Sequence, residues 1–436
     1  MQPMSRFIQS RMLFGLVLTS LFLSFLSVRY FSQRIGQDCD FLAYYFGAQV
    51  VDGDRHADLY QGATDRNAQT IDAPADSPIA QRARAAGIGS IMQYIYPPLL
   101  ADLLIPLSRL PVATAITLWR SMNLIFFLLA MWMLARLLRI SPLSLEFAVL
   151  VMGGYCLQPM HSAMFFGQIS LFLLVLWVVG IRAFMDGRML LSAFVLALAT
   201  ALKLTPLMIV PVFLIWRERR WLLGYFGTLL ALVAAMAAWN GPLALQQCAA
   251  AVAAMGEGFP ALENKSISSL VAWVYHGHLL GYDAVYMQSH LQNWIIRILS
   301  GGFYLACMAL IWRRRWLQEP AERTITLSLF VLVLLCVSPI SWNHAYTVAI
   351  IPFSIYWVDA LHHQRPTSHI VLLTMASIFS GTIFCDHLTN APLPQPVKIL
   401  LAGAWVLSVM FFCLSALRLS IRPELQPVEA DRRTAG

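Results

Sequence analysis

MLFGLVLTSLFLSFLSVRYF, residues 12–31, is an apolar run of 20 residues holding one arginine, and Asp38-Cys39-Asp40 follows a few residues later. About 20 apolar residues cross a bilayer core as a helix. The preceding MQPMSRFIQSR is basic like the start of a signal peptide. The run is too long for a signal peptide's apolar region and no small-residue cleavage site follows it, so it reads as an uncleaved first helix.

The same alternation of apolar run and short polar break continues along the chain. Of the 436 residues, 59% are hydrophobic and 12% charged, about half the charge of an ordinary soluble domain. Mean hydropathy is +0.66. The expected spans are 12–31, 112–135, 143–157, 169–185, 189–202, 204–216, 221–240, 294–312, 325–338, 343–361, 369–385 and 398–418. This is an all-α polytopic membrane protein of about twelve spans, one membrane domain over 1–421 with a polar cytoplasmic tail at 422–436. The net charge of +8 resides in short inter-helix loops and does not point to nucleic acid. The seven cysteines show no CxxC or metal-ligand spacing.

Arg136/Arg139, Arg182/Arg188, Arg217/Arg219/Arg220 and Arg313/Arg314/Arg315 mark cytoplasmic loops by the positive-inside rule. They share one side only if the run 92–107, which carries Pro97, Pro98 and Pro106, stops short of crossing. Prolines that remove backbone donors fit such a re-entrant or interfacial segment. With that parity Asp38, Asp40, Gln168, Lys203, Asn264, His344 and Asp386 all fall on the opposite, outer face. The parity was counted on arginines alone, so this convergence is independent of it. Two outer segments, 32–91 and 241–293, are long enough to carry function and interfacial helices.

Several stretches, in order, resemble glycosyltransferase family 87 of the GT-C superfamily, the polyprenyl-phosphate-mannose-dependent mannosyltransferase-like proteins. They are Asp40-Phe41 with Tyr44-Tyr45 and Leu59-Tyr60; Tyr96-Pro97-Pro98 with Pro106; Gly167-Gln168; Ala201-Leu202-Lys203-Leu204-Thr205-Pro206; and Ser338-Pro339-Ile340-Ser341-Trp342-Asn343-His344, the most distinctive. Asn264 with Ser266 and Ser268 is similar to the family's polar stretch in the large loop. The resemblance covers about residues 30–360 and departs at Ala345, where the family often has a second histidine. It implies a GT-C-type helix bundle that takes a hexose from a polyprenyl-phosphate carrier and passes it, with inversion, to a lipid-linked or glycan acceptor. The setting it implies is the outer face of the cytoplasmic membrane.

That chemistry needs a carboxylate to deprotonate the acceptor hydroxyl and cations or donors for the departing phosphate. Asp40 is the expected general base; the bland alternative is that it caps the next helix while Asp38 reacts. Lys203 and His344 are the expected phosphate partners, against a snorkelling lysine and a structural histidine. Asp38, Gln168 and Asn264 are expected to contact sugar or acceptor, against plain helix capping. Asp38-x-Asp40 also mimics a DxD metal motif. No nucleotide-sugar domain accompanies it, so the expectation is no metal and no cofactor. The rivals are a flippase for lipid-linked sugars, which predicts polar residues at mid-membrane, and a glycan polymerase or ligase, which needs the same acid and cations.

Overall fold

The computed structural model describes residues 2–32, 38–53, 56–61, 72–255, 261, 263–279, 289–315, 320–362, 365–381 and 391–418. Asp386 and the tail 422–436 lie outside these. Among the described residues the chain is helical, with two isolated bridges, Asp72 to Met92 and Asn264 to Trp342, and no strands.

The first helix, α1 (Gln2–Phe31), carries the opening apolar run. Then α2 (Cys39–Asp52), α3 (Pro78–Ala85) and α4 (Pro98–Ser108) form a compact cap. Its core is Phe41, Tyr44, Leu59, Tyr60, Tyr94 and Leu100. The bundle follows with α5 (Val112–Leu137), α6 (Leu145–Cys156), α7 (Gln158–Phe165), α8 (Ser170–Met185), α9 (Met189–Leu202) and α10 (Val210–Trp216). It closes with α11 (Arg219–Met255), α12 (Ile267–His276), α13 (His290–Arg314), α14 (Pro320–Val337), α15 (Ile350–His362), α16 (Thr367–Gly381) and α17 (Gln395–Arg418). Among the described residues, five helices (the first run and α5, α11, α13 and α17) are long and apolar enough to cross a membrane singly. Others at expected spans are shorter: α6, α8 and α9 have 12, 16 and 14 residues.

The doubtful run 92–107 becomes α4, 11 residues beginning at Pro98. At 1.5 Å per residue it is about 16 Å long, half of the roughly 30 Å a span must cover, and it packs on α2. The span expected at 221–240 ends where expected: Gly241, at φ 79° and ψ 157°, breaks α11 into two helices, and the second begins at Pro242 and runs to Met255. Glycine tolerates that φ and proline suits the first turn of the resumed helix. The spans at 204–216 and 343–361 each open as a 3₁₀ turn, Thr205–Ile209 and Asn343–Ala349, before becoming helical.

α8 and α9 form an antiparallel hairpin, packed closely because Gly180 lies against Leu196. Gln168 and Lys203 therefore share one end of the pair, while Arg182 and Arg188 flank the turn at the other.

Candidate active site

The two aspartates at the start of α2 go separate ways. Asp38 occupies the N-cap position yet its side chain makes no capping bond. It is fully buried and grips Arg120 of α5, with Nε donating to Oδ1 at 3.1 Å and Nη2 to Oδ2 at 2.5 Å. Asp40, already inside the first turn, is 6% exposed and its carboxylate opens on a cavity. The Phe166 carbonyl accepts from the backbone N–H groups of Asp40 (3.2 Å) and Phe41 (3.4 Å), tying α2 to the turn before α8. Neither carboxylate is therefore a helix cap.

Gln168 is buried against Asp40. Its Oε1 accepts from the Tyr44 hydroxyl at 2.9 Å and the Tyr96 hydroxyl at 3.1 Å, which leaves its amide nitrogen to donate to the Asp40 carboxylate. Gly167 makes the approach possible: φ is 67°, and a Cβ here would lie 2.8 Å from that of Phe41. Burial pushes the Asp40 carboxyl up to about 6, against the opposing pull of the Gln168 bond and the Lys203 charge. Such a group is a base at neutral pH and accepts a proton more readily than an exposed aspartate.

The far wall comes from residues 338–344. Asn264 donates from Nδ2 to the Pro339 carbonyl at 2.9 Å and accepts at Oδ1 from the Ser341 N–H at 2.8 Å. The backbone adds Lys265 N–H to Ser341 O at 2.8 Å and Asn343 N–H to Glu263 O at 3.0 Å. This staple holds Trp342, Asn343 and His344 against a cavity of about 250 Å³ that they share with Asp40, Asp72 and Glu263. At that wall His344 Nε2 and Asn343 Oδ1 have no hydrogen-bond partner among the described residues. Lys203, at the extended break after α9, lies beside a second, smaller cavity of about 40 Å³. That cavity is otherwise largely apolar, with Leu173, Trp177, Val331, Leu334 and Pro206 in its lining. The ammonium is within electrostatic reach of both Asp40 and His344 and sits 5.9 Å from the Tyr96 ring centre.

The structure thus sets Asp40 and His344 on one cavity and Lys203 on a second, in electrostatic reach of both, with the other three expected residues on neither. Asp38 is engaged by Arg120, Gln168 by Asp40 and two tyrosines, and Asn264 by backbone. None of the three lines either cavity. Sequence reasoning missed Arg120, Glu263 and Asn343. A lone arginine inside the apolar run 112–135 was a usable signal, since intramembrane charges carry function. Glu263 and Asn343 gave none beyond adjacency to Asn264 and His344. Among the described residues no three His, Cys, Asp or Glu side chains converge as a metal-binding group.

The profile of glycosyltransferase family 87 matches residues 94–339, more than half of the chain. A Mycobacterium tuberculosis protein named polyprenol-phosphate-mannose-dependent alpha-(1-2)-phosphatidylinositol mannoside mannosyltransferase is 26% identical over 314 residues, covering 67% of each chain. The matched region contains α5, Gly167-Gln168, Lys203 and Asn264, and the long apolar helices agree with a membrane-embedded enzyme. The chain belongs to glycosyltransferase family 87 and is a multi-pass membrane glycosyltransferase.

Proposed function

We propose that the enzyme transfers a hexose, mannose by analogy with its relative, from a polyprenyl-phosphate carrier to a lipid-linked or glycan acceptor. The observation that carries this reading is the buried Asp40 carboxylate facing a cavity shared with His344, with Lys203 alongside. The acceptor oxygen attacks the anomeric carbon and its proton passes to Asp40. The bond from that carbon to the phosphate oxygen breaks with its electron pair on the phosphate, which leaves as an anion against Lys203 and His344. A single displacement of this kind inverts the anomeric centre. What supports a lipid rather than a nucleotide donor is the relative's name, which is polyprenol-phosphate-mannose-dependent. The engagement of Asp38 by Arg120 leaves the DxD spacing with one available carboxylate, which supports a metal-free reaction.

In this reading residues 1–421 form one twelve-pass domain of the cytoplasmic membrane. The shorter helices complete the crossings with their flanking turns, and the site opens on the outer face. Two measurements test it. Purified enzyme in nanodiscs, given radiolabelled donors, is expected to use polyprenyl-phosphate mannose and to ignore nucleotide sugars. Transfer from a nucleotide sugar without a lipid intermediate would sink the donor assignment. In a cysteine-free background, a cysteine at Asp58 is expected to react with an impermeant thiol reagent in intact cells, and one at Arg314 is not. The reverse pattern places the site on the cytoplasmic side.

A further inference from the structure

Two consecutive residues of α5, Trp119 and Arg120, reach two segments that meet at Asp40. Arg120 holds Asp38, two residues before it, through a bidentate fork in which both partners are buried at 4% and 0% exposure. Trp119 Nε1 donates to the Gly167 carbonyl at 2.6 Å, immediately before the glutamine that bonds the Asp40 carboxylate. The Trp119 ring also stacks on Phe41, the next residue after Asp40, at 5.1 Å and 17°. A buried ion pair is a weak source of stability, because desolvation offsets most of the attraction, and well-packed apolar residues serve as well. A planar guanidinium fork does fix direction.

We infer that the Trp119–Arg120 turn is a clamp that positions the base: Arg120 sets where α2 begins, and Trp119 sets the turn from which Gln168 holds Asp40. Both are positioning residues, since neither lines the cavity. The inference rests on Asp40 being the base.

The test uses full-length enzyme in nanodiscs and the variants Trp119→Phe, which keeps the stacked ring but loses the donor, and Arg120→Lys, which keeps the charge but loses the fork. Groups facing Asp40 are Lys203 from the break after α9, His344 and Glu263 across the cavity, Asp72 at its edge, and Tyr44 and Tyr96 through Gln168. Cys39 adjoins it on its own helix. Both variants leave all of these in place, so a change in the acid limb of kcat/KM reports the Gln168–Asp40 contact. Weakening a bond to the charged form raises an acid's pKa. The acid limb is expected to move up by about half a pH unit or more in each variant. kcat is expected to fall about 10–100-fold, as for a base held out of line.

Loss of folded enzyme lowers the rate without moving the limb. A limb that stays at or below its wild-type position in both variants therefore overturns the clamp, whatever the rate. Asp40→Asn is run in parallel. If it is active, base and clamp fall together; if it is inactive while both variants keep the wild-type limb, only the clamp is wrong.

Discussion

Asp40→Asn is expected to abolish sugar transfer, with a fall of at least ~10²–10⁴-fold, the usual contribution of a positioned general base. The amide keeps the size of the side chain but cannot take the acceptor proton. The fold is expected to survive, because α2 is held by backbone bonds from Asp40 and Phe41 to Phe166 and by the Asp38–Arg120 pair, none of which uses the Asp40 carboxylate. A detergent-solubilised variant should elute and melt close to wild type while failing to turn over. The wild-type pH profile checks the same assignment. Burial raises the Asp40 pKa to about 6, so the reactive carboxylate predominates above that pH. Activity is expected to fall as pH drops through this value, roughly two units above the limb of an exposed aspartate. Asp38→Asn distinguishes the two acids: it removes the counter-charge of the buried Arg120, so its main effect falls on thermal stability. Substantial turnover in Asp40→Asn, with none in a folded Asp38→Asn, would reverse the assignment.

Lys203→Met is expected to raise the apparent KM for a polyprenyl-phosphate hexose about 10–150-fold, corresponding to ~1.5–3 kcal/mol for one lost charge-assisted partner. The acceptor KM is expected to change little. Lys203 lines the smaller, largely apolar cavity, in electrostatic reach of both Asp40 and His344. A phosphate at this depth is poorly screened by water, so a single cation counts for more than at a surface. Methionine retains the apolar stem, which separates lost charge from lost packing. An unchanged donor KM with a raised acceptor KM would place the donor phosphate elsewhere in the cavity.

The membrane class, the position of most helices and the short run at 92–107 were legible from the chain. They depend on local apolar length and on prolines, and bilayer thickness filters both. The family was legible because several short motifs occur in a fixed order. Side assignments by arginine count drew Asp40, Lys203 and His344 to one face; in the structure Asp40 and His344 share a cavity and Lys203 stands in electrostatic reach of both. The 3₁₀ openings at Thr205–Ile209 and Asn343–Ala349 were not legible, because an apolar run does not separate a 3₁₀ turn from the first turn of an α-helix.

What the sequence by itself determined is therefore the kind of molecule, the order of its polar breaks and which end of the bundle carries them. Tertiary structure decided which polar residue faces the cavity and which stands behind it. Asp38 and Asp40 are alike in type and two positions apart, yet one meets a guanidinium 82 residues away and the other a cavity. Gln168 is separated from Tyr44 by 124 residues and Asn264 from Ser341 by 77. Periodicity and composition describe neighbours in the chain. A buried polar group must find a partner wherever the fold brings one within about 3 Å, and that pairing exists only once the helices are packed.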